Sequence, residues 1–323
     1  MLSSARAPAS MAARVVARSL SGGKKVRLCG VFPPLPTPFN HDESIAYDKL
    51  ESNMRTWNQK PFEGYVIHGS NGEYPFLTPE ERVEMVRRVR AMVPEEKTII
   101  AGSSCESTSL TVKTCNLVAE AGADAVLLLP PSYFKANMTE AVLAEHFKAV
   151  ADNCPVPVVL YNMPANVGLD MSAALLARLA EHPNIAGVKD SGGDITKMAT
   201  VVKDTKHLDF SVVAGSGGVL LPALLVGCTG GILGIANMLG DEACRIYQLF
   251  KESKLPEAVE LHHRILTPNS LVTRVFGVPA MKAAMDYCGL YGGPCRRPLV
   301  KLSPDQLRQV HEAFKSAGFE PRN

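Results

Sequence analysis

Lys189 follows the apolar run Ile185-Ala186-Gly187-Val188 directly, a position that carries its stem into a protein interior. Burial disfavours an ammonium, and a lysine amine freed of its proton attacks ketones. The protonated imine that results is an electron sink, which lets a neighbouring C–C bond form or break. The competing reading is a structural ion pair with Asp190 or a nearby glutamate. Tyr161 closes a second apolar run, Pro157-Val158-Val159-Leu160. A phenol beside an imine can shuttle a proton; taken alone, the same residue reads as a buried tyrosine with a structural hydrogen bond.

Ser70 and Asn71 lie between Gly69 and Gly72. Small flanking residues let backbone N–H groups approach a ligand, and such a nest suits a carboxylate, with the Ser70 hydroxyl as one more donor. A tight turn without function is the alternative. The run Gly215-Ser216-Gly217-Gly218 invites a phosphate, but no Lys or Arg stands near it and Leu220 breaks the G-x-G-x-x-G register. A carboxylate ligand, or close backbone approach, fits it better. Asn71, Asn166 and Ser191 are further polar candidates for a substrate carboxylate.

These residues need a scaffold that gathers them. After residue 27 the chain alternates short apolar runs with helical stretches. Strands are expected at Leu28–Phe32, Gly64–His68, Thr98–Ala101, Ala125–Leu129, Pro157–Tyr161, Ile185–Lys189, Phe210–Ala214 and Gly230–Leu233. Their near-continuous hydrophobicity is that of parallel strands buried on both faces. The clearest helix opens at Thr78-Pro79-Glu80-Glu81, with Thr78 as N-cap, Pro79 at N1 and Glu81 closing a capping box. Val83, Val86, Val89 and Val93 then recur at helical spacing.

Eight strand–helix units without a nucleotide fingerprint predict an α/β fold, a (β/α)8 TIM barrel, with a doubly wound open sheet as runner-up. Catalytic groups of such a barrel come from the carboxyl ends of the strands. Ser70, Asn71, Tyr133, Tyr161, Asn166, Lys189, Ser191 and Gly215 all fall there. Further helices, at Leu255–Leu266, Val272–Cys288 and Pro304–Ala317, predict a C-terminal helical extension. The expected organisation is a leader over residues 1–25, the barrel over 26–250 and the extension over 251–323.

Composition narrows the classes. Hydrophobic residues are 46% and charged residues 20% of the chain, as in a folded globular enzyme rather than a disordered one. A net charge of +2 lacks the basic excess of a nucleic-acid binder, and no apolar run approaches the ~18 residues of a membrane span. The first 41 residues hold basic but no acidic side chains and are rich in Ala and Ser. Arg14 and Arg18 interrupt any secretory apolar core, so a mitochondrial transit peptide, and hence the matrix, is expected over an unaddressed tail. The eight cysteines form no C-x-x-C and read as buried, reduced thiols. His68 and the pair His262-His263 lack the partners of a metal site, so neither metal nor organic cofactor is expected.

Three motifs in this order carry a resemblance: Gly69-Ser70-Asn71-Gly72-Glu73, Tyr161-Asn162-Met163-Pro164 and Gly187-Val188-Lys189. Together they resemble the pyruvate-dependent class I aldolases, the family of dihydrodipicolinate synthase and N-acetylneuraminate lyase, over about residues 28 to 317. The resemblance implies that Lys189 forms the Schiff base with a small 2-oxo acid, and that Tyr161 transfers the proton. It implies that Ser70 and Asn71 hold the pyruvyl carboxylate, and that Ser191 and Gly215 also contact substrate. Tyr133 takes the place of a second tyrosine that a neighbouring subunit contributes, which implies a homotetramer built as a dimer of dimers. The synthase pattern places an arginine two residues after the proline of Y-N-x-P; here Asn166 stands there, which counts against the synthase reaction. The segments GSNGEYPFLT, PNSLVTRVFG and YGGPCRRPL resemble the aldolase members instead.

Overall fold

A computed structural model describes residues 26–321; the leader expected over residues 1–25 lies outside them. The strands are β1 (Gly30–Phe32), β2 (Gly64–Ile67), β3 (Thr98–Gly102), β4 (Ala125–Leu128), β5 (Val158–Asn162), β6 (Ile185–Asp190), β7 (Ser211–Ala214) and β8 (Gly230–Ile232). All pair in parallel, in the order β1-β8-β7-β6-β5-β4-β3-β2. Between β2 and β1 the ring closes through Glu63 N–H to Val31 O at 3.2 Å and Leu35 N–H to Val66 O at 2.8 Å. This is the (β/α)8 barrel that the apolar runs predict.

The period-two alternation of each strand sorts its side chains into two layers. Val159 and Tyr161 point into the barrel with Phe32, Val66, Ile100, Leu127 and Val213. Val158, Leu160 and Val188 point outward beneath the helices, where Phe147, Leu176 and Leu179 meet them. Because Val188 faces outward, Lys189 faces in. The helix Pro79–Met92 starts with the expected capping box, Thr78 and Glu81 exchanging side-chain bonds to each other's N–H, and it buries Val86 and Val89 against the sheet.

The C-terminal region is helical, but its boundaries differ from expectation. The first helix runs to Ser270 and continues as a π-helical turn, Leu271–Val275; the next begins at Gly277, not Val272. Pro268 inside the first helix has no N–H to give and crowds the carbonyl four residues back. Gly277, with φ of 62°, takes the left-handed conformation that turns the chain into the next helix. All eight cysteines are free, and five are buried; Cys29 is exposed and Cys105 and Cys295 are half-buried, against the expectation for these three. Among the described residues no helix is long and apolar enough to cross a membrane.

Candidate active site

A cavity of about 470 Å³ opens at the carboxyl ends of the strands, with Lys189 and Tyr161 in its floor. The two residues are register partners on β6 and β5, and both side chains are buried. Lys189 Nζ stands 4.0 Å from the centroid of the Tyr161 ring, and Ser70 Oγ lies 3.4 Å from the Tyr161 hydroxyl. Burial alone raises the phenol's pKa; the Lys189 charge and hydrogen bonds with Ser70, Lys189 and Ser191 outweigh it, and the net displacement is downward. The hydroxyl is thereby poised to give up and recover a proton.

The alternative role for Lys189, an ion pair with Asp190, does not form. The Asp190 carboxylate instead accepts from Asn162 Nδ2 at 3.0 Å and the Gly192 N–H at 2.8 Å, and pairs with Lys197 Nζ at 3.2 Å. Glu73 is equally committed elsewhere, pairing with Lys282 at 2.6 Å. Among the described residues no carboxylate pairs with Lys189, so its amine is left to the cavity.

Ser70 and Asn71 sit on a single 3-10 turn, Ser70–Gly72, directly after β2. Gly72 sits close to its neighbours there: a Cβ at this position would stand 3.1 Å from Leu35 O, while Thr37 Oγ1 donates to Gly72 O at 2.7 Å. Asn71 Nδ2 is close enough to β8's end that a Cβ on Gly234 would stand 2.7 Å from it. Ser191 follows β6, its N–H donating to Asn162 O at 2.8 Å and its hydroxyl to Gly215 O at 3.4 Å. Gly215 leaves little room for a side chain, since a Cβ would lie 2.7 Å from the backbone Asp190 O as well as 1.9 Å from Ser191 Oγ. Asn166, on the short helix Pro164–Val167, lines the outer part of the cavity.

Seven of the eight candidate residues thus line one cavity. Tyr133 does not: it is 79% exposed, packs edge-on against Phe134 at 5.0 Å, and is presented outward by Glu106, which accepts the N–H groups of Ser132 and Tyr133 at 2.9 Å each. Among the described residues no three His, Cys, Asp or Glu side chains group to hold a metal ion.

Three features escaped the sequence reading. The buried Glu73–Lys282 pair ties the turn bearing Ser70 to the helix Gly277–Tyr287. A lysine on an apolar helical face, amid Ala280, Met281, Ala284 and Met285, is the signal that pointed to it. His68, at the end of β2, is buried in a left-handed conformation with φ of 59°; burial first, and Arg82 second, push its pKa down to about 3. Arg274 lines the cavity from the π-helical turn, which no local pattern announces.

The chain resembles known proteins over almost its whole length. A 4-hydroxy-tetrahydrodipicolinate synthase of Methanoculleus marisnigri is 32% identical, covering 90% of this chain and 99% of its own. An uncharacterized DapA-like lyase of Halobacterium salinarum is 34% identical over 92% of this chain and 96% of its own. Among solved structures, dihydrodipicolinate synthase DapA-2 of Bacillus anthracis superposes with a TM-score of 0.86 at 28% identity, over 92% of this chain and 100% of that one. YagE of E. coli K12, solved in complex with pyruvate, gives 0.85 at 25% identity, over 91% and 100%. With residues 27–317 matching its model, the chain belongs to the dihydrodipicolinate synthetase family.

Proposed function

We propose that this protein is a class I aldolase that cleaves 4-hydroxy-2-oxoglutarate to pyruvate and glyoxylate, as the mitochondrial 4-hydroxy-2-oxoglutarate aldolase does. The observation that carries the reading is the pairing of Lys189 and Tyr161 on one inward face, 4.0 Å between amine and ring, in a cavity that Asn166 also lines, at the position where the family resemblance implies an arginine for the synthases. A relative solved with pyruvate supports the 2-oxo acid half of the assignment.

The Lys189 amine adds to C2 of the substrate and water leaves, giving a protonated imine. Ser70 and Asn71 hold the adjacent carboxylate. Tyr161, through Ser70 and the Tyr133 hydroxyl of a neighbouring subunit, takes the C4 hydroxyl proton. As the C4 carbonyl forms, the C3–C4 bond breaks and its electron pair enters the imine, so glyoxylate departs and an enamine remains. Protonation at C3 and addition of water then release pyruvate and the free amine. The imine supplies the polarisation that a metal supplies in other aldolases. The outward Tyr133 fits a homotetramer in which each site is completed by a neighbour, and the basic, acid-free N-terminus fits the mitochondrial matrix.

The name of a relative, 4-hydroxy-tetrahydrodipicolinate synthase, carries a second reading, a synthase that joins pyruvate to an aldehyde. One pair of measurements separates them. Borohydride reduction with pyruvate, read by peptide mass spectrometry, is expected to leave a reduced pyruvyl adduct on Lys189. Cleavage of 4-hydroxy-2-oxoglutarate is expected to persist in EDTA, and pyruvate offered with the synthase's aldehyde substrate is expected to give no 4-hydroxy-tetrahydrodipicolinate by condensation. A folded protein that gives no adduct yet still cleaves the substrate overturns the imine; condensation without cleavage overturns the aldolase.

A further inference from the structure

Among the described residues only two cationic side chains line the cavity, Lys189 on its floor and Arg274 at its mouth. Glu73, the one acid lining it among the described residues, is paired with Lys282 at 2.6 Å. The space between the two cations is therefore electropositive at both ends.

The fold aims Arg274 there by a specific device. Pro268 lies inside the helix Leu255–Ser270, which continues as the π-helical turn Leu271–Val275, where Thr273 Oγ1 donates to Asn269 O at 2.6 Å. A π turn adds a residue to the repeat and re-aims the side chains it carries. The guanidinium comes to rest over the loop that follows Lys189: a Cβ on Gly193 would stand 3.2 Å from Arg274 Nη2. Other arginines held against the fold are committed, Arg82 to Tyr74 O, Arg90 to Asp124 and Arg296 to Glu81. Arg274 makes no ion pair and no hydrogen bond among the described residues, so its donors remain free for a ligand.

We infer that Arg274 binds the carboxylate at the far end of the substrate, the one that leaves with the aldehyde fragment, and so selects 2-oxo acids that end in a second carboxylate. This rests on the aldolase reading above. A guanidinium presents paired N–H donors that match a carboxylate. It reaches the cavity from the C-terminal region, whereas Asn166 lines it from the short helix Pro164–Val167 that follows β5.

The test compares wild type with Arg274→Gln and Arg274→Lys on 4-hydroxy-2-oxoglutarate and on 4-hydroxy-2-oxopentanoate, in which a methyl replaces the distal carboxylate. Inhibition by 2-oxoglutarate and by 2-oxobutanoate reads the same preference without turnover. Arg274→Gln is expected to lower kcat/KM for the dicarboxylate by about 10- to 100-fold, the worth of a charge-assisted hydrogen bond. The monocarboxylate and its inhibitor analogue should be almost unaffected, pyruvate trapping on Lys189 unchanged, and Arg274→Lys intermediate. An equal fall on both substrates, or an unchanged ratio and unchanged inhibition, overturns the role of Arg274 while wild-type cleavage keeps the aldolase standing. Wild type that traps pyruvate but does not cleave 4-hydroxy-2-oxoglutarate overturns both.

Discussion

Glu73 and Lys282 form an ion pair of 2.6 Å with both side chains buried, 0% and 1% exposed, at the junction of barrel and C-terminal helices. Glu73 also accepts the Arg296 N–H at 2.9 Å, and Lys282 donates to Pro294 O at 2.7 Å. Both cations, Lys282 and Arg296, lie over the Phe39 ring, at 4.6 and 4.5 Å. The turn carrying Ser70 and Asn71 is thus pinned from below by residues of the distant C-terminal region.

Removing one partner leaves a buried charge without compensation, which costs about 3–5 kcal/mol. Lys282→Met is therefore expected to lower unfolding free energy by that order in urea titrations. The Glu73→Gln, Lys282→Met double variant should lose less than the sum of the singles, since neither then strands a charge. Additive losses would mean that the two groups do not act as a pair.

Gly215 offers a steric prediction. A Cβ there meets Ser191 Oγ at 1.9 Å and Asp190 O at 2.7 Å, and the backbone carbonyl cannot rotate away as a side chain can. Gly215→Ala is expected to cost ~1–3 kcal/mol as an overpacking change and to raise KM by displacing Ser191. Wild-type KM together with wild-type stability would show that the loop after β7 has more room than its Gly215 N–H to Asp190 O bond of 2.7 Å implies.

His68 gives stability a pH dependence. Its folded pKa of about 3 lies below the ordinary 6.5, so between those values the unfolded chain binds a proton that the folded one does not. Stability from this group is fully present above pH 6.5 and is lost as the pH falls toward 3, by up to ~1.4 kcal/mol per pH unit. Asn tolerates the left-handed conformation, so His68→Asn should keep the fold and flatten the slope of stability against pH in that window. Denaturation midpoints of both proteins at pH 7, 6, 5 and 4 decide it; parallel curves would leave His68 no part in acid sensitivity.

The sequence carried the barrel because buried parallel strands write themselves as short apolar runs, and each run lies within a residue or two of its strand. It also carried the inward aim of Lys189 and Tyr161, since a period of two fixes which face each residue takes. What it did not carry is long-range pairing. Lys282 could have met any acid in the chain, and only the packing of a C-terminal helix beneath the β2 turn selects Glu73. The π-helical turn was equally silent: the helix expected over Leu255–Leu266 in fact continues through Pro268 to Ser270 and on into the turn that carries Arg274 to the cavity.

Tyr161 separates the chemistry of the site from its binding. Its hydroxyl meets Ser70 Oγ at 3.4 Å, while its ring packs in the barrel interior. Tyr161→Phe removes the first and keeps the second, so the fold and the Lys189 amine should survive. Borohydride trapping of pyruvate is expected to persist, and kcat for cleavage to fall by ~10²–10⁴, the range of general acid–base catalysis. The phenol's pKa lies below its ordinary 10, and a base gains activity as it loses its proton. The wild-type kcat should therefore rise toward alkaline pH along a limb centred below 10, and that limb should vanish in the Phe variant. Unchanged turnover, or an unchanged alkaline limb, would remove Tyr161 from the proton path and leave Ser70 to be examined in its place.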